Sequence, residues 1–154
     1  MNAYPASADL NPNDRKRKLV VFSENGRRYE YVNTAGTDVT MIHVDGGLFS
    51  ENTAQLRCDY AFETVLADKT RTCLIELKGH DIPYACLQLK ESVRYFETHY
   101  PTEKFYCRLV TSGNKKPNRE SIQEKELNAY LLKNGYQRLK TGTNSVRDTS
   151  EDLT

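Results

Sequence analysis

Two segments, residues 56–63 and 72–78, each alternate in character, and the connection between them, Val65-Leu66-Ala67-Asp68-Lys69-Thr70, is short enough to fold them back as a hairpin. A turn centred between Ala67 and Asp68 predicts the pairs Cys58 with Leu77, Tyr60 with Ile75 and Phe62 with Cys73. All three pairs are apolar. Side chains alternate along a strand and opposed residues share a face, so the same register puts Asp59 opposite Glu76 on the other face, joined by Lys78.

The remaining chain supplies a setting for that hairpin. Leu19 to Ser23 and Arg27 to Val32 read as strands around Asn25-Gly26, a dipeptide suited to a tight hairpin turn. Val39 to Val44 reads as a further strand, broken by Asp45-Gly46-Gly47. After Gly79, the apolar positions Ile82, Cys86, Leu89, Val93 and Phe96 recur at helical spacing, and Asp81, Pro83 and Pro101 mark the limits. Lys104 to Thr111 reads as a strand, and residues 119–134 as a second helix with Ile122, Leu127, Tyr130 and Leu131 inward and Gly135 as its stop. Tyr136 to Lys140 is an edge-strand candidate. The order, hairpin, three strands, helix, strand, helix, predicts a mixed α/β (α+β) domain with a mixed central sheet, flanking helices and an N-terminal β-hairpin.

One domain is expected from the length of 154 residues. Its core is predicted over residues 17–141, with a flexible N-terminal segment at 1–16 and a flexible polar tail at 142–154. A net charge of +1 excludes a uniformly basic nucleic-acid coat, so any DNA contact needs a local patch. Arg15-Lys16-Arg17-Lys18 reads first as a solvated edge. Lys115, Lys116 and Arg119 offer nucleic-acid backbone contacts beside a helix start, with solvated charge as the default reading. The cysteines Cys58, Cys73, Cys86 and Cys107 show no CxxC pairing and read as buried free thiols of a reducing compartment. No segment has the length and apolarity of a membrane span, so a cytoplasmic protein without membrane contact is expected.

The chemistry rests on Asp59 and Glu76. Opposed carboxylates repel and raise the pKa of at least one of them, which a hard divalent cation relieves. Mg²⁺ is commonly held by one or two carboxylates together with water and phosphate oxygens, and the Leu77 carbonyl could add a ligand. A neighbouring lysine can orient water and stabilise charge developing on a phosphate. The competing view makes Asp59, Glu76 and Lys78 the solvated face of a half-exposed sheet.

Cys58-Asp59-Tyr60 and Leu74-Ile75-Glu76-Leu77-Lys78-Gly79, set in the strand and helix order of residues 40–111, resemble the D…ExK signature of the PD-(D/E)XK phosphodiesterase superfamily. That superfamily includes restriction endonucleases, Holliday junction resolvases and RecB-like nucleases. The resemblance implies a restriction endonuclease-like fold, metal ligation by Asp59 and Glu76, and a catalytic Lys78. It further implies a Mg²⁺-dependent (or Mn²⁺-dependent) endonuclease acting on DNA in defence, repair or recombination. The sequence departs from the pattern in having Cys58 where proline is usual and in lacking an N-terminal core helix with a further acidic residue. Gln88 matches the glutamine that some RecB-like members carry on the following helix, while Ser92 stands where their tyrosine would be. Asp45 could reach the site or serve turn chemistry, and His80 could contact phosphate or be a plain loop residue. Cutting both strands of a duplex implies a homodimer. The alternatives are a catalytically inactive binding or interaction module of the same fold, and a subunit of a larger defence or repair assembly.

Overall fold

The computed structural model of the protein describes residues 1–113 and 120–154. Among the described residues eight strands, two helices and a closing 3₁₀ turn follow in the order β1 (Leu19–Glu24), β2 (Arg27–Val32), β3 (Val39–His43), β4 (Tyr60–Leu66), β5 (Lys69–Lys78), α1 (Ile82–His99), β6 (Lys104–Thr111), α2 (Ile122–Lys133), β7 (Lys140–Thr143), β8 (Ser145–Thr149) and the turn Ser150–Leu153. The fold is mixed α/β. A central sheet has the order β3-β4-β5-β6-β7 and a smaller one the order β1-β2-β8. Pairing is antiparallel from β3 to β5 and parallel from β5 to β7. Parallel strands need a long crossover, and α1 is the crossover between β5 and β6.

The central sheet is covered on both faces. On one side Phe62, Cys73, Ile75, Leu77, Tyr106 and Val110 pack against Val20, Phe22, Tyr29 and Tyr31 of the smaller sheet. On the other, Ala61, Leu74, Cys107 and Leu109 meet Ala85, Cys86, Leu89, Val93 and Phe96 of α1 with Leu127 and Leu131 of α2. This burial on both faces drives assembly of the three layers. All four cysteines are buried and free.

Turn chemistry fixes the registers. Asn25 and Gly26 hold φ of 50° and 80°, and β1 pairs with β2 from Glu24↔Arg27 to Leu19↔Val32. At the second hairpin Ala67 and Asp68 take φ of 52° and 60°, giving Leu66↔Lys69, Phe62↔Cys73 and Tyr60↔Ile75. These last two pairs are those expected from the sequence. Cys58 departs from expectation because β4 begins only at Tyr60. Ahead of the strand, the Cys58 N–H donates to Ser92 Oγ at 2.7 Å and its side chain joins the helix-side core instead of facing Leu77.

Asp81 caps α1, its side chain accepting from the Tyr84 N–H at 3.0 Å, and Ser121 caps α2 through the Glu124 N–H at 3.1 Å. The Ser121 cap starts α2 at Ile122, within the expected span. Ile122 itself is 70% exposed, contrary to its inward assignment, because the first turn projects past the core that Leu127 and Leu131 reach.

Both segments expected to be flexible are folded in. Residues 5–11 lie along the outer edge of β3, where the Leu10 N–H donates to the Met41 carbonyl at 2.9 Å and the His43 N–H to the Ala8 carbonyl at 2.8 Å. Asn11 locks them in place, accepting from the Met41 N–H at 2.7 Å and donating to the Val39 carbonyl at 2.8 Å. At the other end β8 inserts beside β2, and its fully buried Asp148 accepts from Tyr29 Oη, Arg108 Nε and Lys140 Nζ, each at 2.7 Å. Polar composition misleads here because backbone pairing and one buried ion pair, rather than apolar periodicity, hold these segments. The expected edge strand at Tyr136 to Lys140 starts at Lys140 instead, since Tyr136 is drawn onto Phe105 and Glu97.

Candidate active site

Asp59 stands just ahead of β4, and Glu76 and Lys78 occupy the end of β5 from which the chain turns into α1. Strand alternation gives Glu76 and Lys78 the same face as Leu74, beneath the helix. Glu76 is only 2% exposed, so a solvated sheet face does not describe it. The polar face inferred from alternation is in fact roofed by α1.

Asp59 is fixed through both backbone and side chain. Its carbonyl accepts from the N–H groups of Val44 and Asp45 at 3.1 and 3.2 Å, which ties the loop after β3 to it. Its Oδ2 accepts from the Leu77 N–H at 2.8 Å. An extended residue projects its N–H and C=O towards the same strand edge, so the Leu77 carbonyl also faces the Asp59 side.

Charge is disfavoured at both carboxyls. Burial pushes Asp59 up to about 6, against the Leu77 hydrogen bond, with Glu24 and Asp45 adding to the rise. Glu76 goes up to about 9, first through burial and then through the charge of Asp59, with Lys78 pulling the other way. Glu76 Oε1 is buried and has no hydrogen-bond partner. Such an orphan acceptor beside a second carboxylate is costly unless something else satisfies it.

Lys78 is positioned from the helix. Its Nζ donates to Gln88 Oε1 at 3.3 Å and lies 4.8 Å from the centre of the Tyr84 ring. Gln88 in turn donates to the Arg57 carbonyl at 3.1 Å. Tyr84 and Gln88 are neighbours one helical turn apart, which is why both reach the end of β5. Arg57 gathers the preceding loop by bonding the carbonyls of Ser50, Thr53 and Gln55 and pairing with Asp45 at 3.0 Å.

Two clefts share Asp45, and one of them reaches Asp59. One, of about 190 Å³, is lined by Glu24, His43, Asp45, Asp59 and Tyr60. The other, of about 260 Å³, is lined by Asp45, residues 53–57, Tyr84 and Gln88.

Of the residues singled out in the sequence, Asp59, Glu76, Leu77, Lys78 and Gln88 therefore meet, with Asp45 at the rim. His80 is exposed at the entry to α1, where its carbonyl accepts from the Ile82 N–H. Its side chain makes no hydrogen bond or ion pair among the described residues. Lys115, Lys116 and Arg119 lie outside the described residues.

Sequence reasoning missed Glu24 and Arg27. Both flank the Asn25-Gly26 turn, and stacking of Phe22 on Tyr60, with ring centres 4.8 Å apart, brings that hairpin tip to the site. Arg27 Nη1 donates to Ser112 Oγ at 3.3 Å beside Gly79, while its Nε is buried without a partner. The turn dipeptide was a usable signal for the pair; where the tip would land was not.

Comparison with protein-family models, curated proteins and solved structures found no match to this chain. Among the described residues no three His, Cys, Asp or Glu side chains group to hold an ion by themselves. No helix among them is long and apolar enough to cross a membrane.

Proposed function

We propose that the protein is a Mg²⁺-dependent endonuclease of the PD-(D/E)XK type that hydrolyses phosphodiester bonds in DNA. The observation that carries this reading is the half-buried Asp59 beside the buried Glu76, with Glu76 Oε1 lacking a partner, next to a lysine held by Gln88. A carboxylate pair, an orphan oxygen and a nearby backbone carbonyl suit a hard cation, whose remaining positions go to water and substrate phosphate. Asp59, Glu76 and the Leu77 carbonyl would hold it. When bound, Mg²⁺ supplies Lewis-acid polarisation of a phosphoryl oxygen.

The chain's own groups do the rest. Gln88 and the Tyr84 ring hold the Lys78 ammonium over the reacting phosphate, where it stabilises the negative charge that accumulates in the transition state. Arg27, held beside the ends of β5 and β6 by its bond to Ser112, adds a second cation near the site to attract a neighbouring phosphate. The Leu77 N–H keeps Asp59 from turning away, so the carboxyls do not reorganise when substrate arrives. Hydrolysis adds a water oxygen to phosphorus and breaks the bond to the sugar oxygen, which leaves with a proton.

Two such sites in an isologous homodimer would cut both strands, and the outer edge of β1 in the smaller sheet is a surface for that pairing. Incubating pure protein with plasmid and branched DNA, with Mg²⁺ and with EDTA, tests the activity. Binding without cleavage in Mg²⁺ and in Mn²⁺ would instead identify an inactive binding module or a subunit of a larger assembly.

A further inference from the structure

The larger of the two clefts is not needed to hold the scissile phosphate, and its lining has a composition of its own. Tyr84 is 41% exposed, an uncommon setting for a large ring, and it forms one wall. Gln55 and the loop held by Arg57 also line it, and the Arg57 guanidinium pairs with Asp45, which both clefts share. The Lys78 ammonium over the Tyr84 ring connects the wall directly to the carboxylate centre.

We propose that this cleft receives an unpaired nucleobase stacked on Tyr84, so that the preferred substrate is nucleic acid with an unpaired nucleotide at the cut site rather than an intact duplex. The proposal rests on the nuclease reading and extends it to substrate class. A flat exposed ring stacks any base, and a volume of about 260 Å³ has room for one. Thr53 and Gln55 in the lining offer hydroxyl and amide groups to the donor and acceptor edge of a base freed from its pair. A base inside a duplex cannot reach a recess of this kind without leaving the stack, which favours substrates in which that step has already occurred.

The test uses oligonucleotides carrying 2-aminopurine, whose fluorescence is quenched by stacking, in single-stranded, flapped and fully paired form. Binding is read in EDTA and cleavage in Mg²⁺, for the parent, Tyr84→Phe and Tyr84→Ala. The expected result is quenching with the unpaired probes, kept by Tyr84→Phe and lost in Tyr84→Ala with roughly ten-fold or greater weakening of binding. Cleavage of flapped over paired substrate should fall by a similar factor in Tyr84→Ala. Equal cleavage of paired and unpaired substrates by the parent, unchanged in Tyr84→Ala, would overturn the base cleft while leaving the nuclease reading intact. Absence of both binding and cleavage with every substrate would overturn the nuclease reading itself, and this proposal with it.

Discussion

The Leu77 N–H donates to Asp59 Oδ2 across 2.8 Å, so the strand that carries Glu76 and Lys78 also holds the carboxyl opposite them. One hydrogen bond thus sets the separation of the two acids before any ligand arrives. Removing Asp59 would release both its own carboxyl and the Leu77 N–H. Asp59→Asn keeps that acceptor and is the better probe of charge.

In metal-free protein, stability should fall as pH rises. Asp59 and Glu76 have folded pKa values above those of the unfolded chain, so the native state binds more protons between the ordinary carboxylate range and about 6 and about 9 respectively. Their stabilisation is complete below that window and is lost through it. Glu76→Gln should flatten the upper part of the curve and raise Tm at pH 8 by about 2–4 °C, read by thermal denaturation in EDTA.

Cleavage should respond oppositely. Asp59→Asn, Glu76→Gln and Lys78→Ala are each expected to lose at least about 100-fold in rate, the size seen when charge-stabilising groups are removed. Parent-like cutting by all three would refute the assignment. Circular dichroism checks that the variants are folded.

Metal binding should release protons, because the carboxyls must ionise to hold a cation. Mg²⁺ affinity is expected to climb with pH across the same window. Calorimetry in two buffers of different ionisation enthalpy measures the release, and identical heats would contradict it. Mg²⁺ or Mn²⁺ should support turnover, and Ca²⁺ should support binding with little hydrolysis.

Asp148 is a purely structural acid and has the opposite sign. Burial alone would raise it, but Arg108 and the hydrogen bonds from Lys140 and Tyr29 hold it below the usual carboxylate range. Its contribution is present above the unfolded pKa and lost as pH falls through the folded one. Asp148→Ala leaves Arg108 buried and unpaired and should destabilise by about 3–5 kcal/mol, measured by urea denaturation at neutral pH.

The turn at Ala67 and Asp68 can be improved. Ala67 holds φ of 52°, a region that penalises a side chain. Ala67→Gly should remove more strain than the unfolded-state entropy of glycine returns, for a net gain of about 0.5–1 kcal/mol. Chemical denaturation at constant slope decides it.

The two hairpins and α1 were legible because each carries a local signal: Asn25-Gly26 for one turn, alternation around Ala67-Asp68 for the other, and the Ile82 to Phe96 periodicity. Alternation also placed Asp59, Glu76 and Lys78 near one another. It could not tell that Glu76 would be buried, since a strand covered on both faces and a half-exposed one differ only in what packs above them. Glu24 and Arg27 reach the site through the docking of one sheet on another, which no local pattern encodes. The terminal segments were missed for the same reason, as their partners are distant backbone atoms.

Strand β8 slots beside β2, joining residues 145–149 to residues 28–32. The smaller sheet is therefore incomplete until residues that follow the whole central sheet in sequence fold back onto it. Until they do, Arg108 lacks its buried counter-charge and the β2 edge stays open, and nonlocal pairing of this kind makes that closure a slow step.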